Sequence, residues 1–504
     1  MGITCSDACR SCSAVPRDDG ARWGAGTRGA GLVPASVGGP GDAPGLALLV
    51  GAAILVGTVA AVLLRPFRLH EAWWACLGAG LMAAFGFVGL DDAVGVIHET
   101  AGVLLFLAGV LVAGAVADRA GVFALAALWT ARRTGTRATR LFVGLYLVGA
   151  LLTTFLSLDA TAVILPPIVL AMVRQGGLPA LPFVFLCAYV ANTASLLLPV
   201  SNLTNLLVQA RFDLPFWQFA RIMALPATLA AGANLALVFL RFRRQLVGAL
   251  DVEALEIQVR VLSRSPFLRW SLAFLALTLV GFGVAGALGY ALWPVALAGG
   301  GALAILAVAR KEVRPAFFLR GISWALVPFV VGLFLVIRGA EHSGVAQQVL
   351  TVAVGRTALA GSPGVQPVGS GGHGGGTLDL RGAAEGTWVR TVADGVGFSE
   401  LASVAALAAV GSNLINNVPM TLLGMGAAKA AGPLGPYALL IGVNIGPDLS
   451  IIGSLATMLV LGIVRQQGVE VRGWEYLKVG LVAMPVSLGA AVLGLWLAAI
   501  LGLA

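Results

Sequence analysis

Long apolar runs separated by short charged clusters set the pattern of this chain. Stretches at 45–64, 72–90 and 100–116 predict three membrane spans. They end at Arg65 and Arg68, at Asp91 and Asp92, and in a basic stretch holding Arg119, Arg132, Arg133, Arg137 and Arg140. Within that stretch, residues 122–129 are apolar but too short to cross, so they are expected at the interface. Residues 141–174 are too long for one crossing and short for two, at roughly 20 residues per helical crossing, and basic residues flank both ends. That predicts a re-entrant hairpin with its tip near Ser157, Asp159 and Thr161. A polar-interrupted span at 181–209 then crosses outward, and 222–240 returns to Arg241, Arg243 and Arg244 at the head of a charged linker, 241–269.

The second half repeats the scheme upside down. Spans at 270–288 and 292–308 flank a short outer turn, and Arg310, Lys311, Arg314 and Arg320 mark the cytoplasm. A span at 322–337 leads outward to a loop whose Gly-rich part, 361–395, reads as a disordered low-complexity extracytoplasmic insertion. Residues 398–431 form a second hairpin-length segment, now entering from outside, with Asn413, Asn416, Asn417 and Thr421 at its tip. An interrupted span at 437–463 crosses inward to Arg465 and Arg472, and 474–501 is the last span. The expected fold is an all-α polytopic membrane protein of two inverted-topology repeats, 45–240 and 270–501. Each would hold about five transmembrane helices with a broken helix and a re-entrant hairpin. The tail, residues 1–44, contains no apolar run and is expected to be disordered; this topology places it outside.

Composition agrees with the pattern. The 504 residues are 59% hydrophobic and 11% charged, with mean hydropathy +0.94, whereas soluble domains carry roughly 25% charged residues. The net charge of +9 lies in clusters between apolar spans. That is the positive-inside arrangement of a multi-pass cell-membrane protein, with lipid rather than nucleic acid as the partner. No phosphate-binding G-x-x-x-x-G-K-[ST] loop and no HExxH occurs, so neither an ATPase nor another enzyme is expected, and no cofactor.

Two stretches deserve a closer look. Residues 191–208, ANTASLLLPVSNLTNLLV, align with 443–460, VNIGPDLSIIGSLATMLV, at a constant offset (444 − 192 = 252). Both interrupt an apolar run with Asn, Pro, Gly and hydroxyl residues. Broken spans in corresponding halves point to the binding site of a secondary transporter. A break at mid-bilayer leaves backbone groups that lipid cannot satisfy, so it persists only where protein or a watery cavity covers it. Candidate substrate-binding residues are Asn192, Ser195, Ser201, Asn202, Thr204 and Asn205 in the first copy, and Asn444, Ser450, Ser454 and Thr457 in the second. From the second hairpin tip come Asn416, Asn417 and Thr421. Such residues also serve simply to join helices in membranes.

Asp159 is the sharpest acidic signal. An ionisable group deep in a span costs at least ~2.5–3.5 kcal/mol and marks an ion or proton path, so Asp159 and Asp448 are the candidates for proton coupling. Asp448 reads equally well as a cap of the second half-helix. The expected midplane groups include no Arg or Lys, which favours a neutral solute or a small cation over a dicarboxylate. In the tail, Cys5, Cys9 and Cys12 form C-x3-C-x2-C, a set of thiols that suits a soft metalloid or belongs to an unimportant extension.

The segments ANTASLLLPVSNLTNLLV, SLDATAVILPPIVL, SNLINNVPMTLLG and GVNIGPDLSIIGSLATMLVL resemble the arsenite/antimonite efflux permeases of the ion transporter superfamily. The resemblance covers about residues 45–501, apart from the 361–395 insertion. It implies inverted repeats with hairpins and broken helices, and export of arsenite or antimonite against proton entry. It also implies, for some members, a separate cytoplasmic ATPase subunit; that subunit and a second copy of the chain are the candidate protein partners. A sodium/proton antiporter of the same superfamily is the alternative, with the same carboxyl, Asn and Thr oxygens holding sodium.

Overall fold

Backbone amides buried in lipid must bond within their own segment, so apolar runs of this length become helices. The computed structural model describes residues 44–64, 66–135, 137–248, 263–320, 324–345, 348 and 397–503. Among these the first half comprises α1 (Pro44–Leu64), α2 (Glu71–Ala84), α3 (Leu90–Ala120), α4 (Val122–Thr134), α5 (Ala138–Leu156), α6 (Leu158–Gln175), α7 (Ala180–Thr193), α8 (Leu203–Arg211) and α9 (Phe216–Phe242). The second comprises α10 (Pro266–Ala287), α11 (Trp293–Ala309), α12 (Ala316–Arg320), α13 (Leu326–His342), α14 (Phe398–Ile415), α15 (Asn417–Ala430), α16 (Gly435–Ile445), α17 (Leu455–Gln466) and α18 (Gly473–Ile500). Eight of these helices are long and apolar enough to cross a membrane by length and composition. The protein is an all-α polytopic membrane protein. The tail with Cys5, Cys9 and Cys12, the central part of the linker and the 361–395 insertion lie outside the described residues.

Both hairpins turn where the sequence predicts. Helix α5 stops at Ser157, whose φ of 131° lies in a region L-residues rarely enter, and α14 stops at Asn416 with φ 76°. Strained residues of this kind cost of order 1–3 kcal/mol and persist where surrounding structure over-determines them. Ser157 Oγ accepts from the Ala160 amide at 3.2 Å and so opens α6.

Both broken spans interrupt at matching positions. In the first, α7 gives way to the tight turns Ala194–Leu196 and Pro199–Ser201 before α8. In the second, α16 gives way to Gly446–Asp448 and Ile451–Gly453 before α17. The residues that restart helix are extended in both: Asn202 at φ −150°, ψ 144° and Ser454 at φ −142°, ψ 142°. Each uses its side chain as an N-cap, Asn202 toward Thr204 N at 3.2 Å and Ser454 toward Ala456 N at 3.1 Å.

The packing pairs repeat as well. Helix α2 lies on α13 and α3 lies on α11, while α9 and α18 pack along one another. The glycines explain how closely these helices approach. A Cβ at Gly109 would strike the Ala296 backbone, and one at Gly332 the Ala75 backbone; the offsets differ by only two residues (332 − 109 = 223, 296 − 75 = 221). Gly78 against Thr58 and Gly299 against Thr278 repeat the same fit. Small residues let membrane helices meet backbone to backbone. The second leg of each hairpin also reaches across: α6 packs on α7 and α17, and α15 on α16 and α8.

One boundary differs from the sequence reading. Asp91 and Asp92 do not end the second span but form the first turn of α3. Asp92 Oδ2 accepts from Gly89 N at 2.9 Å, and acidic groups stabilise the positive end of a helix.

Candidate functional site

Four helix restarts converge, three of them capped by a side chain. Ser157 opens α6, Asn202 opens α8, Asn416 precedes α15 and Ser454 opens α17. A cavity of about 30 Å³ lies where these ends meet, and Asp159, Asn202, Asn416, Asn417 and Ser454 all line it. Its remaining polar wall is Glu71 of α2, which is 5% exposed. Among the described residues no Lys or Arg lines it. A second cavity of about 410 Å³ adjoins the first, sharing Glu71, Asp159, Leu326 and Leu455, and continues past His70, Ser157 and Asp118.

Behind the cavity the two broken helices are joined by buried side-chain bonds. Asp448, fully buried, accepts from Asn192 Nδ2 at 3.0 Å, Thr193 Oγ1 at 2.9 Å and Asn234 Nδ2 at 3.1 Å. Asn192 also donates to Thr457 Oγ1 at 2.9 Å, and Tyr146 OH donates to Asn234 Oδ1 at 3.1 Å. A second knot surrounds Asn444. Its Oδ1 accepts from Asn202 Nδ2 at 2.7 Å and Thr204 Oγ1 at 2.9 Å, and its Nδ2 donates to Asn205 Oδ1 at 2.8 Å.

The predicted binding set therefore divides. Asn202, Asn416, Asn417 and Ser454 reach the cavity beside Asp159. Asn192, Thr204, Asn205, Asn444 and Thr457 hold the two halves together, their hydrogen bonds already made to one another. Three hydroxyls are engaged with nearby backbone: Ser195 with Asn192 O, Ser201 with Thr154 O and Thr421 with Asn417 O, each at 2.7 Å. Ser450 donates to Asn413 Oδ1 at 2.6 Å, and Asn413 in turn donates to Gly446 O at 2.7 Å, tying the second hairpin to its broken helix. Thr193, Asn234 and Glu71 are the polar residues that pattern reading misses. A lone amide within the apolar run of α9 was the available signal for Asn234.

Among the described residues no group of three or more His, Cys, Asp or Glu is placed to hold a metal ion. The free thiols there, Cys76 and Cys187, lie apart from the cavity lining.

Apolar helices, two buried helix breaks and a polar cavity between them define a membrane transporter. Residues 59–449 match the family CitMHS: Citrate transporter, and the chain belongs to that family. An arsenical pump membrane protein of Escherichia coli is 30% identical over 452 residues, 87% of this chain and 96% of that protein. One from Yersinia enterocolitica is 30% identical over 453 residues with the same coverage. An uncharacterized transporter of Mycobacterium tuberculosis is 25% identical over 465 residues, 88% of this chain and 98% of that one. The crystal structure of the Alcanivorax borkumensis YdaH transporter aligns with a TM-score of 0.49 at 15% identity, covering 91% of this chain and 98% of that chain.

Proposed function

We propose that this protein is a secondary transporter that exports arsenite or antimonite from the cytoplasm across the cell membrane in exchange for protons. The observation that carries this reading is the lining of the cavity: amides, a hydroxyl and two carboxylates, with no Lys or Arg among the described residues. A citrate-like substrate carries several negative charges and calls for cationic partners. Arsenite near neutral pH is a neutral trihydroxide, whose three O–H groups need acceptors and whose oxygens accept from amides and helix-end N–H groups. Relatives named as arsenical pumps, 30% identical along nearly their full length, support the same choice.

In this mechanism the solute occupies the cavity among the four helix N-termini, hydrogen-bonded by Asn202, Asn416, Asn417 and Ser454. Asp159, in the first turn of α6, carries the proton on the return stroke. A neutral solute gains nothing from the membrane potential, whereas an inward proton is driven by it, so the exchange draws on the proton gradient. The halves 45–240 and 270–501 act as inverted repeats. The hairpin-bearing elements move against α1–α3 and α10–α13, and the larger cavity, beside Asp118 and Arg119, is the cytoplasmic approach. A cytoplasmic ATPase subunit and a homodimer are compatible partners of this arrangement.

Everted membrane vesicles test the reading. Arsenite uptake should follow an imposed proton gradient and release protons in return. Rescue of a salt-sensitive strain, without rescue of an arsenite-sensitive one, would favour the sodium/proton antiporter instead.

A further inference from the structure

Helix α3 is 31 residues long, and one stripe of it borders open space toward both of its ends. Val110, Leu111, Gly114, Ala115 and Asp118 line the 410 Å³ cavity that also holds Asp159. Glu99, Gly102, Val103 and Phe106 line a third cavity, of about 560 Å³, toward the other end of the helix. These positions recur every three to four residues, so they share one helical face. The two linings stop a turn apart. Phe106 belongs to one and Val110 to the other, about 6 Å along the helix axis.

Helix α8 repeats this arrangement on the opposing wall. Asn202 and Leu203 line the small cavity among the helix ends, whereas Leu206, Gln209 and Ala210 line the third one. Leu203 and Leu206 are about 4.5 Å apart in rise. Phe106, Leu107, Leu203 and Leu206 are all buried in one apolar cluster between the cavities. Phe282 of α10 packs on Phe106 with ring centroids 5.4 Å apart. Residues 103–111 of α3 include no polar side chain, and the polar Thr204 and Asn205 of α8 are turned to Asn444. Polar groups return beyond this layer, where Glu99, Gln209, Asp213 and Tyr290 line the third cavity.

We propose that the third cavity is the extracytoplasmic release vestibule of the transport path, and that Phe106, Leu107, Leu203 and Leu206 form the seal between it and the helix-end cavity. This rests on the helix-end cavity being the transport site. An apolar constriction stops polar solutes by excluding the water that would carry them. In the conformation described, the site opens toward the cytoplasm through the 410 Å³ cavity and is shut from outside by about one turn of side chains. A shift of that size, the ~5.4 Å of a one-turn ratchet, is enough to transfer the opening to the other face. A polyhydroxy solute that passes the seal meets hydrogen-bond partners at once in Gln209 and Asp213.

Thiol labelling locates the seal without needing a transported solute. Full-length protein with its five cysteines replaced by Ser receives Val103→Cys or Val110→Cys, and a membrane-impermeant maleimide is applied to right-side-out and to everted vesicles. Val103→Cys should react about tenfold or more faster from the extracytoplasmic face, and Val110→Cys should show the opposite preference. The same preference at both positions, or a Val103→Cys thiol inert from outside, would overturn the proposal. Leak tests the seal residues themselves. In proteoliposomes, Phe106→Ala and Leu206→Ser should each collapse an imposed proton gradient about tenfold faster than wild type; two variants guard against one that does not fold. Gradients held as tightly as in wild type by both would remove these side chains from the seal. Arsenite exchange is measured on the cysteine-replaced parent. Its absence alongside an intact labelling switch would sink the arsenite reading and leave the vestibule and seal supported.

Discussion

Asp159 and Asp448 are both acidic groups placed within apolar surroundings, and their settings are opposite. Asp448 accepts from three donors, Asn192, Thr193 and Asn234, drawn from α7 and α9. It is fully buried and lines neither cavity at the helix ends. Asp159 lines both of those cavities. Sequence reasoning names both as candidates for proton coupling, with Asp159 the sharper signal and Asp448 equally well a cap of its half-helix. Geometry separates them. A carboxylate whose lone pairs are occupied by helix-joining donors works as a brace, and engaging it with a ligand would mean breaking the joint. A carboxylate facing a cavity can exchange a proton without disturbing packing. The lesson is that a polar residue near a helix break signals either chemistry or assembly, and its neighbours decide which.

The contrast is broken most sharply by exchanging the two roles. Asp159→Asn should lower proton-coupled arsenite exchange in everted vesicles by about 100-fold, in the range of a lost proton-transfer group, while leaving the unfolding midpoint near that of wild type. Full exchange in this variant would remove Asp159 from the mechanism. Asp448→Ala should do the reverse in kind. It strands three buried donors, so it should destabilise the protein by about 3 kcal/mol, measured by denaturant titration in detergent. If instead Asp448→Ala kept its stability and lost coupling, Asp448 would be the proton carrier and the comparison would invert.

The architecture was largely legible from the chain because its signals are local. Run length and basic clusters lie within single segments, the Asn192/Asn444 register shows as a direct match of two short stretches, and the helices turn at Ser157 and Asn416, where the hairpin tips were expected. The division of labour within the site was not legible, because it depends on contacts between distant segments. Asn234 is 214 residues from Asp448, and Thr204 is 240 from Asn444. Glu71 escaped notice because it sits at the foot of an ordinary-looking span, beside His70. The helix-pair register tests the repeat itself. Gly109→Ala and Gly332→Ala each force a methyl into a facing backbone, so each should cost about 2 kcal/mol through overpacking. Equal costs support equivalent joints, and a tolerated methyl at one position alone would mean the two interfaces are not equivalent.

The finest distinction lies between the two N-caps. Asn202 and Ser454 have nearly the same backbone conformation and both line the cavity, but their second duties differ. Asn202 also donates to Asn444 Oδ1 at 2.7 Å across the joint between halves, whereas the hydroxyl of Ser454 bonds to the Ala456 amide of its own helix. Asn202→Ala should therefore lose both a cap and a buried cross-link, about 2 kcal/mol in all. Ser454→Ala should lose the cap alone, about 1 kcal/mol. Both should raise the arsenite KM, since both remove a polar group from the cavity wall, so kinetics cannot separate them but stability can. Denaturant midpoints measured side by side decide the matter. If Ser454→Ala proved as damaging as Asn202→Ala, the bracing would be shared by both breaks, and the first broken helix would lose its special role in holding the halves together.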